Sequence, residues 1–260
     1  MRSHISFSEL KIWNDCPYKH KLTYVDGIKK FVGSEHTAFG TTMHYVCEKL
    51  LEENNNELNL YNIFETRFLE ELKLLTEKNV KIKKDLIEQM REQGKNMISF
   101  ILPSLKETFV KFEIVSIEEE LLLPTDNNEH TFKGFIDLVL KTPDNKYHVI
   151  DWKTCSWGWD SKRKSDRMTT YQLTLYKYFF AKKYNINLGD IETYFALLKR
   201  TAKNENVEIF RVTSGPKKIN NSLKLLDKAI YNIKKGNFIK NRLACTAKFG
   251  CEFYKTKHCR

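Results

Sequence analysis

The sequence predicts an α+β fold in which a mixed β-sheet is flanked by helices, with a helical N-terminal part and a cysteine-rich C-terminal tail. Three observations carry that expectation. Up to about residue 112 the apolar residues recur at helical spacing. Beyond it they gather into short β-branched runs bounded by turn residues. The second half then reads as three strands, a helix, two strands and a helix, an order that suits a sheet covered by helices. With 260 residues the chain can bury one sizeable core, so a single domain is expected. Within it, 1–112 form the helical front, 113–236 the sheet with its helices, and 237–260 the tail.

The elements follow in order. Ser6-Phe7-Ser8-Glu9 reads as a capping box opening a helix toward Trp13-Asn14-Asp15-Cys16-Pro17, and a second helix is expected over 16–25. The stretch 40–53 places Met43, Val46, Cys47, Leu50 and Leu51 at helical spacing, and 52–57 reads as a polar, Asn-rich connection. Two long charged helices are expected over 61–78 and 82–110. Strands are expected over 113–123, 131–141 and 147–154, the last two joined antiparallel by Pro143-Asp144-Asn145. A helix over 169–184, strands over 191–198 and 207–212, and a helix over 215–235 complete the set.

Composition sets outer bounds. The 44 Lys+Arg against 33 Asp+Glu give a formal charge of +11, which favours a polyanionic partner through counterion release. AT-rich genomes also yield basic chains, and the many Lys, Asn and Ile residues fit that bias, so charge alone assigns no partner. No apolar stretch approaches the roughly 20 residues that span a bilayer, and no early segment reads as a secretory signal. A cytoplasmic protein without a membrane partner is expected, in which six cysteines would not be disulfides.

The chemistry concentrates in two neighbouring strands. Asp137 lies between Ile136 and Leu138, and Asp151 between Ile150 and Trp152. Carboxylates in such apolar company are rarely left unpaired. Alternation puts Asp151 and Lys153 on one side of their strand, and Asp137 can reach the same point. A lone Asp-x-Lys is common on solvated strands. Two carboxylates and a lysine converging at a sheet rim instead suit a hard divalent cation beside a phosphate.

Four motifs in order resemble the PD-(D/E)xK nuclease superfamily: Gly40-Thr-Thr-Met-His44, Gly134-Phe-Ile-Asp137, Asp151-Trp-Lys153 and Gln172-Leu-Thr-Leu-Tyr176. The likeness is to the branch that holds the RecB and AddB nuclease domains and the CRISPR-associated and phage single-strand exonucleases, and it runs from about Ser6 to Cys259. It implies a restriction-endonuclease-like sheet. It also implies that His44, Asp137, Asp151 and the Trp152 carbonyl hold magnesium or manganese, with Lys153 beside the attacked phosphate. Gln172 and Tyr176, one helical turn apart, would order the site or touch DNA. Glu120 is a further candidate for orienting a metal-bound water, against a solvated strand end. Trp157 and Trp159 would stack on unpaired bases, with Lys162, Arg163, Lys164 and Arg167 on phosphates; the alternative is an apolar plug under a basic surface.

Cys16 in a Cys-Pro segment, with Cys245, Cys251 and Cys259 near the end, resembles the iron–sulfur version of this family, in which four thiolates hold a [4Fe–4S] cluster. The tail departs from it: Cys245 and Cys251 are six apart, where relatives usually have three. Zinc or free thiols stay open as alternatives. Cys47 and Cys155 read as unligated buried residues.

The expected function is a metal-dependent DNA exonuclease on single-stranded ends in replication, recombination or repair, in a bacterial cytoplasm or, for a phage protein, that of an infected host. No Walker-type phosphate loop is present, so any helicase or recombination motor would be a partner protein. The alternatives are a non-catalytic DNA-binding adaptor on the same fold and an RNA nuclease.

Overall fold

The computed structural model describes residues 3–28, 31–52, 57–126, 130–247 and 250–260. Most of the Asn-rich connection expected over 52–57 lies outside the described residues. In chain order the elements are β1 (His4–Ser6), α1 (Phe7–Asp15), α2 (Pro17–His20) with a π-helical turn Lys21–Val25, α3 (Glu35–Leu51), α4 (Glu57–Glu77) and α5 (Lys84–Phe109). They continue as β2 (Glu113–Pro124), β3 (Thr131–Lys141), β4 (Tyr147–Cys155), α6 (Ser161–Ser165), α7 (Arg167–Tyr184), β5 (Ile191–Lys199), β6 (Val207–Val212) and α8 (Pro216–Lys234).

The strands make a six-stranded mixed sheet in the order β1-β3-β4-β5-β6, with β2 also on β3. β3 and β4 are antiparallel around the predicted turn, where Asn145 takes φ +62° and the Thr142 N–H donates to Lys146 O at 3.0 Å. β4 and β5 are parallel, and the crossover that parallel strands require is supplied by α7. β1 escaped the sequence reading because three residues are too short to show a period. Among the described residues, no helix is long and apolar enough to cross a membrane.

The chain divides into two compact units. Met1–Phe31, Glu120–Gly134 and Gly215–Arg260 form one; Val32–Glu119 and Phe135–Ser214 form the other. In the first, Ser6 caps α1 by accepting from the Glu9 N–H at 3.2 Å, as a capping box requires. The Glu9 carboxylate, however, turns away from the cap to His20, with Oε1 2.7 Å from Nε2.

The second unit is built on α3, α4 and α5 against the sheet. α3 starts five residues before the predicted position because the Ser34 N–H donates to Thr37 Oγ1 at 2.8 Å and so fixes an earlier first turn. In its core Phe64 stacks on Phe68 at 5.7 Å and meets Phe39 edge-on at 6.0 Å. Gly94 of α5 faces that cluster, and a Cβ there would lie 2.2 Å from the Phe64 ring. The ring is fully buried and cannot swing aside. Gly94→Ala should therefore destabilise the fold by about 1–3 kcal/mol, the usual cost of overpacking. A denaturant midpoint equal to or above that of the wild type would contradict it.

Candidate active site

The second unit gathers the predicted polar residues at the end of the β3–β4 pairing. Pairing runs from Lys141↔Tyr147 to Leu138↔Ile150, and Asp137 and Asp151 come next on their strands. Opposed residues of antiparallel strands share a face, so both carboxylates arrive together. Asp137 Oδ2 accepts from the Trp152 N–H at 2.7 Å, so the side chain takes an amide where the ladder with β3 stops. His44 Nδ1 lies 3.5 Å from the same oxygen.

α3 delivers His44 by coming close to β4. A Cβ on Gly40, one turn earlier, would sit a tight 3.2 Å from Thr154 Oγ1, so the glycine eases that approach. The acid that joins them is Glu118, which the sequence reading missed. One ligand atom each from His44, Glu118 and Asp137 lie within 4.8 Å of one another. Glu118 has φ +50°, an irregularity inside β2 that no sequence period reveals. Glu119 turns the other way and is buried, bound by Lys183 Nζ and Tyr184 OH, both at 2.5 Å. Glu120, the acid singled out from the sequence, pairs with Lys133 at 3.6 Å in the other unit. The legible signal was only that residues 118 and 120 share a strand face.

Asp151 is buried and in contact with the Lys153 ammonium. Gln172 Nε2 donates to Asp151 Oδ1 at 2.7 Å and to Tyr176 OH at 3.2 Å. The Gln-x-x-x-Tyr turn of α7 thus clamps the carboxylate, while Tyr176 itself is buried. Burial pushes Asp151 up to about 6, with Asp137 adding to the rise and Lys153 opposing it. Burial, then the Asp137 charge, also raises Glu118. For His44 burial works downward, but the hydrogen bond and charge of Asp137 outweigh it and the net shift is upward. Three mutually repelling acids and an imidazole form a donor set suited to a divalent cation. The residues present fit such an ion.

The predicted nucleic-acid contacts separate into two groups. Trp157 is 81% exposed, and Lys162 and Arg167 are exposed as well. Trp159 corrects the expectation: it is buried against Phe195 and Phe210, with ring centroids at 5.0 and 6.1 Å, and cannot stack on a base. Arg163 covers its ring at 4.4 Å, while Lys164 pairs with Glu208 and sits over Phe210. Trp159 is the apolar residue here, and Arg163, itself exposed, and the partly buried Lys164 lie over it and Phe210.

The first unit holds Cys16, Cys245, Cys251 and Cys259 as free thiols. Burial raises the Cys245 thiol, and Cys251, Cys259 and Cys16 raise it further. The tail is tied to the first helices by Lys19–Glu252 at 2.7 Å and by the Tyr18 hydroxyl donating to His258 O at 3.2 Å. The Asn241 N–H points to Cys16 Sγ at 3.4 Å. Cys47 lies in the other unit's core, and Cys155 is half-buried.

Residues 4–255 match the family model described as the PD-(D/E)XK nuclease superfamily. No curated protein matches the chain. Among solved structures it is similar to one described as "Putative exonuclease" from Eubacterium rectale, at 14% identity and a TM-score of 0.61, covering 94% of this chain and 86% of that one. A second similarity, to SSO0001, has 13% identity and a TM-score of 0.38 over 89% of this chain and 77% of the other. At such identities the first likeness bears on the fold.

Proposed function

The chain belongs to the PD-(D/E)XK nuclease superfamily, and from that premise we propose that it is a magnesium- or manganese-dependent deoxyribonuclease acting on single-stranded ends. Nuclease chemistry and nucleic-acid binding follow from the family; the metal, the sugar and the need for an end are our reading. The observation that carries it is the convergence of His44, Glu118 and Asp137 beside the Asp151–Lys153 pair.

His44, Glu118, Asp137 and Asp151 would hold the cation, with the Trp152 carbonyl as a further oxygen. When bound, the ion polarises the phosphate and lowers the pKa of a water. The protein's own groups do the rest. Lys153 places an ammonium where negative charge grows as the water oxygen bonds to phosphorus and the sugar oxygen leaves. Gln172 and Tyr176 keep Asp151 aimed, as outer partners of metal-binding carboxylates do. Trp157, Lys162, Arg163 and Arg167 are exposed groups for stacking on bases and meeting phosphates.

Linear single-stranded DNA with manganese should be consumed while a circular strand of the same sequence persists. Cleavage of the circle would remove the need for an end. Products from RNA alone would reassign the sugar, and binding without product from any strand would favour the adaptor.

A [4Fe–4S] cluster on Cys16, Cys245, Cys251 and Cys259 is the second part of the proposal, supported by the ties that hold the tail against the first helices, the Asn241 N–H on Cys16 Sγ among them. Anaerobically purified protein should be brown, and Cys16→Ala should both bleach it and lower its resistance to proteolysis, because ligands from opposite chain ends close a long loop. Cys47→Ala should keep the colour. Colourless protein with one bound zinc would select zinc, and stable metal-free protein would remove both.

A further inference from the structure

Within the first unit a cavity of about 510 Å³ is lined by residues that no part of the nuclease centre uses. Its volume is in the range of small-molecule sites. His20 is part of its wall. The imidazole is fully buried, with the Tyr24 ring at 5.2 Å and the Phe238 ring at 6.2 Å, both nearly parallel to it. Nε2 is held by Glu9, itself buried, while Nδ1 makes no hydrogen bond. A buried ring nitrogen left unsatisfied calls for a partner.

The surrounding chain is shaped for one. The π-helical turn Lys21–Val25 is a rare irregularity of the kind that gathers at functional sites, and it brings Tyr24 and Val25 to the cavity. Ile5 and Ile233 add apolar wall, and Lys234, His4 and His130 add nitrogen donors. Apolar and aromatic walls, a lone polar atom, the Lys234 ammonium and two further imidazoles together match a planar heterocycle that carries an anion.

We propose that this cavity binds one nucleotide unit, with its base against the aromatic wall and a polar edge toward His20, and its phosphate toward Lys234, His4 and His130. Choosing a nucleotide over other planar anions rests on the nuclease reading. The unit is either a free mononucleotide or the terminal nucleotide of a strand.

The test is an equilibrium titration of the full chain with 2′-deoxyadenosine 5′-monophosphate in EDTA, where no metal-dependent cleavage can intervene. Saturable one-site binding is expected. Val25 and Lys234 are exposed, so Val25→Glu and Lys234→Glu should leave the protein folded, with a cooperative melting curve, while weakening binding at least tenfold. Deoxyadenosine, which lacks the phosphate, should bind more weakly and ignore Lys234→Glu. Mutual exclusion with a short 5′-phosphorylated single strand would name the strand terminus as the source; simultaneous binding would name the free nucleotide. No saturable binding, insensitivity to both substitutions, or equal competition by inorganic phosphate would overturn the proposal. Because cleavage is measured separately with metal, a protein that cuts nothing can still pass this titration, and an active nuclease can fail it.

Discussion

Lys153→Met should lower the single-turnover cleavage rate by about 10²- to 10³-fold, the scale of removing one well-placed charge-stabilising donor. Methionine keeps most of the side chain's length and apolar stem but not its ammonium. Two things are lost together. The charge proposed to face the reacting phosphate disappears, and Asp151 loses the cation that opposes its upward shift from burial. Affinity for a single strand should change little, because phosphate contacts are spread over many surface cations in a chain of formal charge +11. Lys153→Arg should recover only part of the rate, since a planar guanidinium does not reproduce a compact ammonium. Binding measured in EDTA and turnover measured with manganese separate the two effects. A Lys153→Met protein that cuts at the normal rate would remove this lysine from the chemistry.

The strands were the most legible part of the chain. β3 and β6 have the bounds the sequence predicts, because period-two runs ended by Pro143-Asp144-Asn145 and similar turns leave little freedom. The same alternation placed Asp151 with Lys153. His44 could not be joined to them by any local period, since it sits 93 residues before Asp137; only the family resemblance linked the two. The Asp137 bond to the Trp152 amide, which fixes the centre's geometry, is a tertiary contact with no sequence signature. Glu118 was hidden by the positive φ inside β2. Trp159 was misjudged because loop aromatics look alike in sequence whether they face solvent or Phe195. Each miss is a place where packing, rather than propensity, decides the side chain's direction.

Asp137→Asn should abolish cleavage and, in the same protein, remove the stabilisation that manganese confers. A ligand that binds only the folded state raises its stability by RT ln(1 + [L]/Kd), so a metal-dependent rise in melting temperature reports occupancy without any substrate. Asp137 belongs to the trio with His44 and Glu118, and its charge also raises Asp151. Asparagine is nearly isosteric and relieves that crowding, so in EDTA the variant should be at least as stable as the wild type. Loss of activity without loss of fold is the expected signature, the pattern of a site kept at some cost to stability. Glu118→Gln should be intermediate, shifting the manganese dependence of both cleavage and melting by about ten- to a hundredfold. Glu120→Gln, two residues further along the same strand but outside the trio, should shift neither. A manganese-dependent rise in melting temperature that survives both Asp137→Asn and Glu118→Gln would place the cation elsewhere. A shift on Glu120→Gln alone would restore the acid that the sequence pointed to and remove Glu118 from the centre.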